Sequence, residues 1–257
     1  MGLLLGFLIF SDNLDKNDSA EPIKLENPEF ILTRPLLDCG DDSFQFKQAS
    51  WRKEEVREII NEAKEVKDVT KASVYFLDLK SGLWFGVDEE EEFYSASLIK
   101  VLILLTYLKE SENHPEILNS KILYTETIQD LLLQDSYPPA LKLEENKEYT
   151  VLELLERMII YSDNQSSELL SINREDISKD ISDIFDDLGI KTTLKIDDRS
   201  GVDILFSTKE FARIYRILYN ATYLNHKTSE KALEILSRVR IRRRACSRFS
   251  RRDSNCE

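Results

Sequence analysis

The chain is poor in the residues that build the commonest catalytic centres. Its 257 residues contain two histidines, His114 and His226, and neither lies near Ser97, the candidate nucleophile, in sequence. A Ser-His-Asp triad is therefore poorly supported. Cysteine is almost as scarce. Cys39, Cys246 and Cys256 show neither a disulfide framework nor a metal-ligand spacing. No metal and no cofactor is expected. Membrane-length hydrophobic runs are missing at the N-terminus, where Gly2-Leu3-Leu4-Leu5-Gly6-Phe7-Leu8-Ile9-Phe10 is too short to cross a bilayer. That segment has the length of a signal-peptide core, but no basic residue precedes it and no convincing cleavage site follows. It reads as a signal or as the remnant of a longer anchor. Cys39 lacks the small residues of a lipoprotein cleavage site. No internal repeat is evident.

Positive charge is also deficient through most of the chain. The formal net charge is −13, and residues 238–257 carry eight arginines against two acids, which leaves −19 for the rest. Such a body argues against nucleic acid as the main partner. The hydrophobic share, 42%, suffices for one sizeable core.

Within this background two short constellations stand out. The first is Ser97-Leu98-Ile99-Lys100. A serine and a lysine three apart face the same side of a helix. The segment continues Val101-Leu102-Ile103-Leu104-Leu105-Thr106-Tyr107-Leu108, apolar on nearly all faces, as expected of a helix at a domain centre. Lys100 is the only charge in that run. A buried lysine requires partners, and a lysine beside a serine can take its proton and make it a nucleophile. Ser97 at the helix start also has the backbone N–H groups and dipole that favour a developing negative charge. The alternative is a lysine that snorkels to the surface.

The second constellation is Ser162-Asp163-Asn164. It follows Thr150 and the apolar series Val151, Leu152, Leu154, Leu155, Met158, Ile159 and Ile160, which predicts a helix of about three turns. Another helical stretch, Glu168-Leu169-Leu170, comes after it. The triplet therefore sits at a helix-to-helix junction, where Ser, Asp and Asn are also ordinary capping residues. Two decoys calibrate these signals. Ser50-Trp51-Arg52-Lys53 repeats the first spacing, but Ser50 precedes Glu54-Glu55 and reads as a helix N-cap. Ser11-Asp12-Asn13 repeats the second in a polar stretch.

Taken in this order, the two motifs resemble those of the β-lactamase-like serine hydrolases, the penicillin-binding-protein-like transpeptidase family, closest to the class A branch. The resemblance covers about residues 70–237. It includes a hairpin, Ala72–Leu79 and Leu83–Val87 around Lys80-Ser81-Gly82, whose alternation and turn support two strands on their own account. It ends in Ser207-Thr208-Lys209-Glu210, which also carries a capping-box signature. The resemblance implies an α+β fold of β-lactamase/transpeptidase type and a serine hydrolase that acts by acyl-enzyme formation on β-lactams or cell-wall peptide amides. It implies Ser97 as acylated nucleophile, Lys100 as its activator, Ser162 as proton donor to the leaving nitrogen and Asn164 as substrate ligand and support for Lys100. Asp163 would fix the loop. It also implies an exported or membrane-anchored protein, tethered through the N-terminus.

The departures from the family pattern are specific. No Glu-x-x-Leu-Asn segment lies between Asn164 and Ser207, so no deacylation base is assigned. Asp197, Asp198 and Asp203 are the nearest carboxylates and lack the family context. Glu168 stands where the family often has asparagine and reads as an ordinary helix carboxylate. The Lys-Thr-Gly strand is not found. His226-Lys227-Thr228-Ser229 lacks the glycine and leads into a helical pattern, with Thr228 or Ser229 as its expected cap. The helical subdomain is thus expected to be largely present, with the central antiparallel sheet truncated to the N-terminal hairpin. Impaired turnover follows from this, and a non-catalytic binding or scaffold protein at the cell envelope is the alternative.

The expected organisation is a short apolar segment over 1–10, a polar linker over 11–49, a C-terminally incomplete domain over 50–237 and an Arg-rich tail over 238–257. The tail is read either as a basic arm for nucleic acid or anionic membrane or as an out-of-frame end; its abrupt onset inside a helix pattern favours the second.

Overall fold

The computed structural model describes residues 29–34, 48–65, 69–125, 142–197 and 201–239. The decoy at Ser11-Asp12-Asn13, the apolar segment over 1–10, most of the expected linker and residues 240–257 of the Arg-rich tail lie outside them.

Helix α1 spans Ser50–Glu65. Ser50 is its first helical residue rather than its cap, and the Ser50 N–H donates to the Gln48 carbonyl at 3.2 Å. The expected hairpin follows. Strands β1 (Val74–Leu77) and β2 (Trp84–Val87) pair antiparallel, with Val74 opposite Val87 and Leu77 opposite Trp84. Gly82, at φ +70°, supplies the left-handed position of the turn. The Gly82 N–H donates to the Asp78 carbonyl and the Asp78 N–H to the Leu83 carbonyl, both at 2.8 Å. Helix α1 lies against β2.

Strand β3 (Glu92–Tyr94) leads to a 3-10 turn (Ala96–Leu98) and then to α2 (Ile99–Glu110). Lys100 through Leu108 are all buried in α2, as its uninterrupted apolar sequence predicts. Strands β4 (Lys121–Tyr124) and β5 (Lys147–Thr150) form a second antiparallel pair. Thr150 ends β5 and caps α3 (Val151–Ile160). Its hydroxyl accepts from the Glu153 N–H while the Glu153 carboxylate accepts from the Thr150 N–H, a complete capping box. Helices α4 (Asn164–Ile172) and α5 (Ile177–Leu188) follow. Helix α2 contacts α3, α4 and α5 and is the hub of the core.

The hairpin of β6 (Thr193–Asp197) and β7 (Gly201–Ser207) was not foreseen from the sequence. It joins β3 into a three-stranded sheet of order β3-β7-β6. The alternation in Thr193-Leu194-Lys195-Ile196 was its signal. Helix α6 (Thr208–Tyr219) starts at the Ser207 cap, whose hydroxyl accepts from the Glu210 N–H at 3.2 Å, and it packs on β1. Helix α7 (His226–Ser237) packs on α2, α3 and α6. Its cap is Asn225, which accepts from the Thr228 N–H at 3.0 Å, and not Thr228 or Ser229 as expected. The Thr228 hydroxyl is instead engaged with the Glu112 carboxylate at 2.6 Å. Lys227 and Thr228 are helical, which fits their exclusion as a substrate-binding strand.

Residues 29–34, placed in the polar linker by sequence, are bound to this last helix. The Glu230 carboxylate accepts from the backbone N–H groups of Ile31, Leu32 and Thr33 and from the Thr33 hydroxyl, at 2.6–2.8 Å. Phe30 stacks on His226 with ring centroids 3.7 Å apart. Burial alone would push the Glu230 carboxyl up, but these hydrogen bonds hold it below the usual carboxylate value.

Candidate active site

The chain reaches Ser97 through a fixed approach. Tyr94 of β3 pairs with Leu205 of β7, and the next N–H, that of Ser95, donates to the Ile204 carbonyl at 2.8 Å. Ala96 then turns with φ +43°, a left-handed conformation uncommon outside glycine, and Ser97 follows in the 3-10 turn. The unforeseen β7 strand thus holds the segment that presents Ser97. Ser97 is exposed, whereas Lys100, one turn on, retains 5% of its accessible surface.

Ser162 and Asn164 approach the same lysine from the α3–α4 junction. Lys100 Nζ lies 2.9 Å from the Ser162 carbonyl oxygen, 3.1 Å from Ser162 Oγ, 2.5 Å from Asn164 Oδ1 and 3.5 Å from Ser97 Oγ. The four oxygens offer Nζ more acceptors than it has hydrogens, in a site where an unpaired polar group is costly. Ser162 Oγ in turn donates to Ser97 Oγ at 3.1 Å. The two hydroxyls and the amine form a triangle with Ser162 at the corner of its two shorter sides.

Ser162 itself is left-handed, at φ +54°. Such a conformation in a residue with a side chain costs on the order of 1–3 kcal/mol and persists only where the surroundings over-determine it. Asp163 is one of those surroundings. It is 2% exposed and caps α4, with Oδ1 accepting from the Gln165 N–H at 3.2 Å and Oδ2 from the Ser166 hydroxyl at 2.6 Å. Gln165 extends the support outward, its Nε2 donating to the Tyr124 hydroxyl at 3.2 Å. Burial, aided by the nearby Asp163 charge, raises the Tyr124 pKa and keeps this phenol neutral.

All four site residues expected from the sequence, Ser97, Lys100, Ser162 and Asn164, are therefore brought together. The decoy Ser50 lies on α1, on the other side of the β1–β2 hairpin in chain order, and has no such partners among the described contacts. Glu168 is exposed on α4. Asp197 and Asp203 lie on the β6–β7 hairpin, and Asp198 is outside the described residues. Sequence reasoning missed the Ser162 carbonyl as a ligand of Lys100, because a backbone group leaves no signature.

Among the described residues no cluster of His, Cys, Asp and Glu suits a metal, and no helix is long and apolar enough to cross a membrane.

The sequence model of a family described as "Beta-lactamase enzyme family" matches residues 52–253. No curated protein matches the chain. Among solved structures, a mutant of PBP-A in an acyl-enzyme complex with penicillin-G superposes with a TM-score of 0.62 at 18% identity, over 76% of this chain and 72% of that one. A class A β-lactamase from Mycobacterium abscessus gives a TM-score of 0.56 at 22% identity, over 70% of both chains. A β-lactamase from Sphaerobacter thermophilus gives 0.58 at 17% identity, over 71% of this chain and 68% of that one. At these identities the likeness establishes the fold.

Proposed function

The chain belongs to the β-lactamase enzyme family, a hydrolase lineage, and from that premise we propose that Ser97 attacks the carbonyl carbon of a β-lactam or a cell-wall peptide amide. The supporting observation is the triangle of Ser97, Lys100 and Ser162. The Ser97 proton passes to Lys100 Nζ, as a free amine, directly or through the Ser162 hydroxyl that touches both. The oxygen then bonds the carbonyl carbon, and the amide C–N bond breaks. Lys100 returns the proton through Ser162 to the leaving nitrogen, which leaves Ser97 acylated and Lys100 neutral. The Ser97 backbone N–H supplies one half of an oxyanion hole, as the family resemblance implies, close to the positive end of the α2 dipole. Asn164 holds Lys100 and offers its amide to the substrate.

With no glutamate in the family's deacylation context, acylation outpaces hydrolysis of the acyl-enzyme. The protein then behaves as a slow hydrolase or a penicillin-binding peptidase. Its substrates are met outside the cytoplasm, so we assign it to the cell exterior or envelope. A fluorescent penicillin tests the assignment. The wild-type chain is expected to retain the label through denaturing electrophoresis, Ser97→Ala to lose it, and the decoy variant Ser50→Ala to keep it. Rapid, multiple-turnover hydrolysis of the same penicillin overturns the slow-deacylation part. Absence of label from the folded wild-type chain overturns the whole reading and favours a non-catalytic binding protein.

A further inference from the structure

Ser162 is left-handed and exposed, yet two of its atoms meet Lys100 Nζ within 3.1 Å. Something must close the turn that carries it. The α3–α4 turn closes on one residue twice. The backbone carbonyl of Arg157 accepts from the Tyr161 N–H at 3.1 Å, and the Arg157 side chain donates from Nε to Asp163 Oδ2 at 3.3 Å. Arg157 is the last-turn base of α3, its side chain is 18% exposed, and its guanidinium carbon lies 5.9 Å from the Tyr149 ring centroid. Asp163, at 1% side-chain exposure, brings a carboxylate into the interior between the two residues that ligate Lys100. A buried carboxylate stripped of its cation is strongly unfavourable, more so than a neutral group of the same shape. Ser166 and Gln165 satisfy its lone pairs but bring no charge.

We infer that Arg157 is a positioning residue for acylation: by neutralising Asp163 it holds the 161–163 turn closed and so keeps Ser162 and Asn164 on Lys100. This rests on the acyl-enzyme reading for its kinetic consequence, though not for its structural one. Arg157 also borders an open cavity of about 610 Å³ with Tyr149, Glu153, Glu156 and Tyr161. With the guanidinium removed, that open space gives the Asp163 carboxylate a route to water, which it reaches by moving outward with its turn.

The experiment compares the wild-type chain with Arg157→Met, Arg157→Lys and the double variant Arg157→Met/Asp163→Asn. Acylation by a fluorescent penicillin is followed over time at several concentrations, so that prior binding and the chemical step separate. Arg157→Met is expected to slow the acylation step by about tenfold or more while changing prior binding by less than about twofold. Arg157→Lys keeps the charge and recovers part of the rate. The double variant, with no charge left to neutralise, recovers more than Arg157→Met alone. A merely structural packing role predicts that Asp163→Asn adds damage instead of repairing it, and that outcome overturns the inference. Lys100 supplies a readout independent of any activity. Competition labelling with acetic anhydride, quantified by peptide mass spectrometry, should show Lys100 more reactive in Arg157→Met than in wild type, because its acceptors have withdrawn. Unchanged Lys100 reactivity in a folded Arg157→Met protein overturns the inference even if the wild-type chain takes no penicillin, a result that by itself would defeat only the acyl-enzyme reading.

Discussion

Helix α2 buries nine of its twelve residues, whereas α1, with sixteen, buries one. The two helices stand for two halves of the molecule. Around α2 lie α3, α4, α5 and α7, and the contacts form one continuous apolar cluster. Around α1 lies the two-stranded β1–β2 sheet, whose β1 residues are half-buried or exposed and pack on α6. Lys100 is among the nine buried residues of α2, so the only charge in that sequence run lies within the buried core. The difference teaches where precision is needed. Lys100, Ser162 and Asn164 are set by the α2 half, Ser97 is brought to them from the β3–β7 pairing, and the α3–α4 junction supplies the closest oxygens to Lys100.

The sharpest way to break this contrast is to hollow each half. Leu104→Ala, at a fully buried α2 position, should destabilise the protein by about 2–5 kcal/mol, read as a large fall in thermal midpoint. Ile60→Ala removes the one buried residue of α1 and should cost about 2 kcal/mol, the lower end of that range, because α1 is otherwise a surface helix. Trp51→Ala, on the same helix and 56% exposed, should fall within about 0.5 kcal/mol of wild type. Equal losses at Leu104 and Trp51 would erase the distinction between the halves.

A smaller, local effect concerns the 29–34 segment on α7. The Glu230 carboxyl has a folded pKa below its ordinary value of 4.5. Its contribution is therefore fully present above that value and is lost as pH falls through the lower folded one. Hydrogen exchange should show the Ile31, Leu32 and Thr33 amides losing protection in acid while the α2 amides remain protected. Protection of both regions lost together would mean that the segment is integral to the core and not a separately docked strap.

These features differ in how far the sequence disclosed them, and the reason is the distance over which each is determined. The α2 run, the β1–β2 hairpin, the Ser207 cap with Glu210 three residues on and the Ser97–Lys100 spacing are local patterns, and each was legible. The convergence of Ser162 and Asn164 on Lys100 came through a resemblance of motif order, not from spacing alone. The grip of Glu230 on Ile31 spans 199 positions, and its donors are backbone N–H groups that any residue supplies. Nothing local could announce it. The β6–β7 hairpin had an alternating pattern, but in β6 it runs over only Thr193–Ile196, too short to separate a strand from a loop by periodicity alone. The left-handed backbone of Ser162 is imposed by the turn around it, and serine shows no preference for that conformation.

The central claim is that Ser97 is an acyl-accepting nucleophile, activated by a lysine that the α3–α4 junction holds in place. Its most direct test is peptide mass spectrometry of the wild-type chain after incubation with benzylpenicillin. The account predicts a single penicilloyl adduct on the peptide containing Ser97, formed in the wild type and not in Lys100→Met. A folded protein that carries no adduct, or one that carries it on another serine, would contradict it.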